Sequence, residues 1–217
     1  MRSLSVFSAA CLCAFLVSPG AQATTITIDL DIEISGATPP AGPLPWMTVT
    51  FDDGDTPGSV DVTVGATNLS HPEFAFNFLF NLDPGLDLSD LVFSGLVKTG
   101  TFEDPIVSTG LDFFQADGDG YFDIEIMFNA MDGASEKFSD GETVTYTITN
   151  PGAPVGDEIT ASSFDFLSTP DGSPGTFPVA AHIGGIGPND ESGWIAPEPT
   201  ALSLLALGGL LAARRRR

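Results

Sequence analysis

Cysteine is missing from nearly the whole chain. Of 217 residues only Cys11 and Cys13 carry a thiol, and both fall in the first segment. A disulfide framework, a thiolate metal site and a cysteine nucleophile are therefore excluded for everything after residue 23. Basic residues are almost as scarce. Five of the seven, Arg2 and Arg214 to Arg217, stand at the two ends. Between Thr24 and Pro197, Lys98 and Lys137 face 28 carboxylates (29 less Glu198), a net charge of −26. Such a body repels phosphate backbones and anionic lipid, so no nucleic-acid partner is expected, and cations or basic partners fit the charge. Membrane-length apolar runs are lacking as well, yet 42% of the residues are hydrophobic, enough for the core of one ordinary domain.

The two ends read as processing segments. Arg2 supplies a positive start, "LSVFSAACLCAFLV" an apolar stretch, and Ala21-Gln22-Ala23 a small-x-small cleavage site, which predicts a signal peptide over residues 1–23 removed by signal peptidase before Thr24. Pro19 and Gly20 end the apolar stretch too early for a bilayer span. At the other end, Ala201 to Ala213 is uncharged. As a helix it reaches roughly 20 Å at about 1.5 Å per residue, short of the ~30 Å hydrocarbon core. Arg214 to Arg217 would stay cytoplasmic by the positive-inside rule, which places the body outside the inner membrane.

Pro197-Glu198-Pro199, a Gly-containing apolar helix and a terminal arginine cluster stand in that order over residues 197–217. This tail resembles the PEP-CTERM sorting signal of bacterial exosortase substrates. The resemblance implies that Pro197, Glu198 and Pro199 are recognised by exosortase and that the tail is removed near them. It also implies membrane contact only through the short transmembrane sorting helix before processing, and delivery to the cell surface or extracellular matrix. A second resemblance lies in the body, where "EFAFNFLFNLDPGLDLSDLVFSG", "DGYFDIEIMF" with "FSDGETVTYTI", and "FDFLS…AAHIGGIG…SGWI" look like blocks of uncharacterised exported proteins with the same tail. No activity comes with it.

Residues 24–196 read as one all-β domain. Thr25 to Ile34 alternates isoleucine and leucine with threonine and carboxylate, the period of a strand with one wet face. Further strands are expected at Met47–Phe51, "VDVTVGA", Glu73–Phe80, "DLVFSGLV", "LDFFQA", Tyr121–Phe128, Glu142–Thr149, "EITASSFDFLS" and "FPVAAHI". Turn formers separate them, and no segment keeps a 3.6-residue period over a helical length. About ten such strands predict an antiparallel two-sheet sandwich, with a jelly-roll-like topology preferred. "GPNDESGWIAPEP" reads as the way out of the domain, with Trp194 packing on it.

Sharp sites are few. "ADGDGYFDIE" gathers Asp117, Asp119, Asp123 and Glu125, and hard cations such as calcium take six to eight oxygens, so Asp117, Asp119 and Asp123 are the candidate ligands. The competing reading is a hairpin, with Asp117 to Gly120 as the turn and Asp123 and Glu125 on a solvent face. "FDDGDTPGSVD", with Asp52, Asp53 and Asp55, offers the same choice. His182 has no cysteine or histidine beside it and is expected to bond a loop carbonyl. Phe74, Phe76, Phe78 and Phe80 are expected in the core. There is no G-x-S-x-G elbow, no H-E-x-x-H and no phosphate loop. The expectation is a non-enzymatic surface or matrix protein without a cofactor beyond calcium, associating with exopolysaccharide with the help of cations. An extracellular carbohydrate-active enzyme using a carboxylate pair is the alternative.

Overall fold

The computed structural model describes residues 23–54, 56–130, 136–154, 157–171 and 175–199. Residues 1–22 of the expected signal peptide, Ala21 among them, Asp55, the apolar run Ala201 to Ala213 and the four terminal arginines lie outside the described residues. Among those described, no helix is long and apolar enough to cross a membrane.

Twelve strands carry the described chain: β1 (Thr25–Leu30), β2 (Ile32–Glu33), β3 (Met47–Asp52), β4 (Ser59–Ala66), β5 (Phe74–Phe80), β6 (Val92–Thr99), β7 (Ile106–Gln115), β8 (Tyr121–Met127), β9 (Phe138–Ser139), β10 (Thr143–Thr149), β11 (Val179–Ile186) and β12 (Glu191–Ala196). They form two antiparallel sheets. The first runs β1-β3-β4-β10-β6, and the second β2-β12-β11-β5-β8-β7 with β9 beside β5. The described chain is all-β, as its period-two pattern predicts.

One cluster fills the space between the sheets. Val49 and Phe51, Val60, Val62 and Val64, and Val144 and Ile148 come from the first sheet, and Phe78, Phe80, Ile124, Ile126, Ala181 and Ile183 from the second. Each is fully buried, and each valine, isoleucine or phenylalanine so placed contributes roughly 1.5–3 kcal/mol. Residues between them point outward. Across the first sheet these are hydroxyls in register, with Thr27 bonding Thr50 and Thr63 bonding Thr145, a cross-strand pairing that also steadies the sheet.

Three strand expectations need correction. Thr25 to Ile34 is two strands, because Asp31 is a corner where the chain passes from the first sheet (β1) to the second (β2). "EITASSFDFLS" is not a strand. Its Thr and Ser hydroxyls bond neighbouring backbone and each other, Ser163 Oγ accepting from Thr160 N at 3.1 Å, and close a 3-10 turn over Ala161–Phe164. The turn delivers Phe164 into the core, where its ring stacks on Phe51 at 5.2 Å. Finally, Glu191–Ala196 does not lead out of the domain but is an inner strand, β12, paired with both β11 and β2.

Candidate functional site

The acidic stretch resolves into a hairpin. Asp117 and Gly118 have φ values of 44° and 84°, and Asp119 N–H donates to Ala116 O at 2.7 Å. Two left-handed central residues closed by that bond make the Asp-Gly turn that suits the twist of paired strands. Gln115 then pairs with Tyr121, and the hairpin reading holds. The solvent face expected for Asp123 is a correction, since its side chain is 6% exposed. Its Oδ1 accepts from Asp112 N–H at 2.9 Å and its Oδ2 from Leu82 N–H at 3.2 Å. Both oxygens are thus committed to backbone donors that tie the middle of β7 to the end of β5.

Asp117 and Asp119 sit at the other end of the hairpin. Burial, and then the carboxylates of Asp117 and Glu33, push the Asp119 carboxyl above its ordinary value. Glu33 is itself occupied: it accepts from Ser35 N–H at 2.7 Å, from Ser35 Oγ, and from Gly36 N–H at 3.0 Å. The three aspartates named for calcium are not gathered on one point. Among the described residues no group of three or more His, Cys, Asp or Glu side chains is placed to hold a metal ion. Asp52 caps its own turn through Gly54 N–H, and Asp53 accepts from Thr24 N–H and Ala161 N–H, so these two also serve the backbone.

What the pattern of the sequence conceals is a row of rings on the outer face of the second sheet. His182 of β11 stands opposite Trp194 of β12 and Asn77 of β5. A bulge in the β5–β11 pairing between His182 and Ile183 leaves Phe76 as the extra residue. The bulge breaks the expected alternation of phenylalanines. Phe78 and Phe80 keep to the core, whereas Phe76 turns outward and lies half-buried over β11. Its ring stacks on the His182 imidazole with centroids 4.8 Å apart, and the imidazole stacks on Trp194 at 4.8 Å with planes 9° apart. Phe74 meets Phe76 edge-on at 4.8 Å, and the Lys137 ammonium stands 3.7 Å above the Phe74 ring. Gly184 makes room, because a Cβ there would lie 2.3 Å from the Phe76 ring.

His182 therefore bonds no loop carbonyl among the described residues, and it is held by ring contact instead. Burial lowers its pKa, with the Asp117 carboxylate acting the other way. A recess of about 270 Å³ opens beside Trp194 and His182, with Asp117 and Ser192 on its rim. Another of about 410 Å³ opens beyond Phe76, over Met127 and Ile106, with Glu103 and Asn129 beside it. Met127 and Ile106 are large apolar residues left exposed there.

No protein-family model, curated protein or solved structure matches this chain. The row has to be read from its own chemistry. Ring edges, an amide, hydroxyls and carboxylates side by side suit a ligand with alternating C–H and hydroxyl surfaces, the character of a sugar ring.

The tripeptide expected as a sorting motif follows β12. The strand ends at Ala196, and Pro197, Glu198 and Pro199 follow directly, with Glu198 and Pro199 exposed. Asp31 holds the junction, its N–H donating to Ala196 O at 3.1 Å and its Oδ1 accepting from Glu198 N–H at 3.1 Å. At the opposite end Ala23 is exposed beside Thr24, one residue before β1.

Proposed function

We propose that this chain is an exported surface or extracellular-matrix protein, trimmed at both ends, whose folded body binds polysaccharide without catalysing a reaction. Removal of residues 1–23 by signal peptidase and of the tail by exosortase rests on the sequence of the two ends. The binding role is carried by one observation, the Phe76–His182–Trp194 stack on an outer sheet face, flanked by a polar recess and an apolar one. The rings stand side by side, so their inner faces are spent on one another. A glycan chain lying across the row meets ring edges in the middle and a recess at either end. The surrounding carboxylates favour neutral polysaccharide directly and anionic polysaccharide through divalent cations held diffusely by the shell. The connectivity between the sheets, which the chain crosses repeatedly, is read as jelly-roll-like.

The test is to recover the protein from its native host, fractionate cells, membrane and matrix, and weigh it intact. The expected product starts at Thr24, ends within Pro197 to Pro199 and partitions with the matrix. The variant Trp194→Ala should be trimmed identically but shift from matrix to medium. A product that retains Arg214 to Arg217 in the inner membrane would sink the sorting reading. Unchanged matrix partition of the tryptophan variant would sink the binding one.

A further inference from the structure

The tripeptide is not a free peptide but one wall of a recess of about 680 Å³. Ile26, Ile28, Leu167 and Phe177 contribute its apolar lining, and Leu167 is 62% exposed. Asp29, Asp165 and Glu198 stand on its rim, and all three are exposed. β1 forms one side. Among the described residues it is the outermost strand of its sheet and pairs with β3 alone, which leaves its other row of N–H and C=O groups without a strand partner there. The Asp31 clamp makes the tripeptide leave antiparallel to β1, alongside that open edge.

An open strand edge with apolar pockets beside it is the geometry by which proteins capture an extended segment, the backbone giving affinity and the pockets selectivity. Resting on the sorting reading above, we infer that the processing enzyme recognises the tripeptide together with this recess. The occupant is a segment of that enzyme that presents apolar side chains flanked by lysine or arginine. The apolar residues cover Ile26, Ile28 and Leu167. The basic ones answer the three carboxylates of the rim, within a body that carries −26 and repels any acidic segment. The folded domain is then part of the signal, and processing follows folding.

The experiment follows tail removal in the native host by pulse-chase and intact mass, using the full chain. Leu167→Glu changes an exposed side chain, and unaltered thermal melting of the variant would show that the fold is kept. Its processing is expected to slow by roughly tenfold, equivalent to ~1.4 kcal/mol. Asp29→Lys with Asp165→Lys should slow processing in the same way, although none of these three residues lies in the tripeptide. The control replaces Pro197, Glu198 and Pro199 by alanine. If that control is processed at the normal rate, the sorting reading itself falls. If the control is blocked while the Leu167 and the lysine variants mature at the normal rate, sorting stands and the recess proposal is overturned. Residues 197–217 moved onto an unrelated exported protein should be processed more slowly than in this chain, and equal rates would also overturn it.

Discussion

His182 meets a ring on each face, Phe76 on one side and Trp194 on the other, and this sets its protonation. Burial withdraws water from the imidazolium, and the Asp117 carboxylate restores only part of what is lost. The folded state therefore binds this proton less well than the unfolded chain. Stability from this group is complete above the ordinary histidine value of about 6.5 and falls as pH drops through the lowered folded value. A titration of the His182 imidazole by NMR should give a midpoint below the ordinary histidine value of about 6.5. Trp194 fluorescence should change over the same range, and a midpoint at or above the ordinary histidine value would refute the stacking account. Nothing in "AAHIGGIG" announces this role, because it depends on a bulge in another strand. The small residue at Gly184 was the available signal, and it becomes readable only once Phe76 is known to lie over it.

At the scale of elements, β7 and β8 show how one carboxylate can organise two strands. The pairing of β7 with β8 is interrupted between Thr109 and Phe114, and within the interruption Asp112 has a φ of 48°. Leu111 and Phe113 project there, each 73% exposed. Asp123 steadies the irregular stretch by accepting from Asp112 N–H while also holding Leu82 N–H. Asp123→Ala would leave two backbone donors without their partner, at roughly 1–3 kcal/mol for each that stays buried. A clear drop in melting temperature is expected, and Asp123→Asn, which keeps one acceptor, should recover part of it. Equal melting of alanine variant and parent would show that water replaces the carboxylate.

Strands whose faces differ in polarity were legible in the sequence for the same reason that they fold: Met47 to Phe51 and Thr143 to Thr149 alternate strictly and do so in the structure. The exceptions have local causes. At Asp31 the alternation continues through a corner, because both sheets demand the same period. In Glu158 to Ser168 the apolar spacing imitates a strand, but hydroxyls near Thr160 compete for the backbone and win. β12 was hidden by glycine, serine and the tail that follows it. The Asp-Gly turn was legible because its chemistry is local, whereas the ring row joins residues more than a hundred positions apart.

For the molecule as a whole, charge and chain ends matter most. Both interior lysines are occupied: Lys98 pairs with Asp104 at 2.6 Å and donates to Phe102 O, and Lys137 stands over Phe74. The remaining cation would be made by maturation. Thr24 N–H already donates to Asp53, so a chain cut before Thr24 would place an ammonium against that carboxylate. Asp53→Asn should then destabilise a chain beginning at Thr24 more than one carrying residues before it. The site is exposed, so the difference should stay below about 1 kcal/mol. Paired thermal denaturations of the four proteins would measure it, and equal losses would remove the ion pair from the account.

The Asp31 corner also brings the two ends of the fold within reach of each other. Thr24 precedes β1 and Glu198 is bonded at its far end, so one six-residue strand separates them, roughly 20 Å. A linker of about seven extended residues spans that gap. A ligated chain could accordingly be reopened at the Asp117–Gly118 turn, giving a circular permutant with the same sheets in a new sequence order.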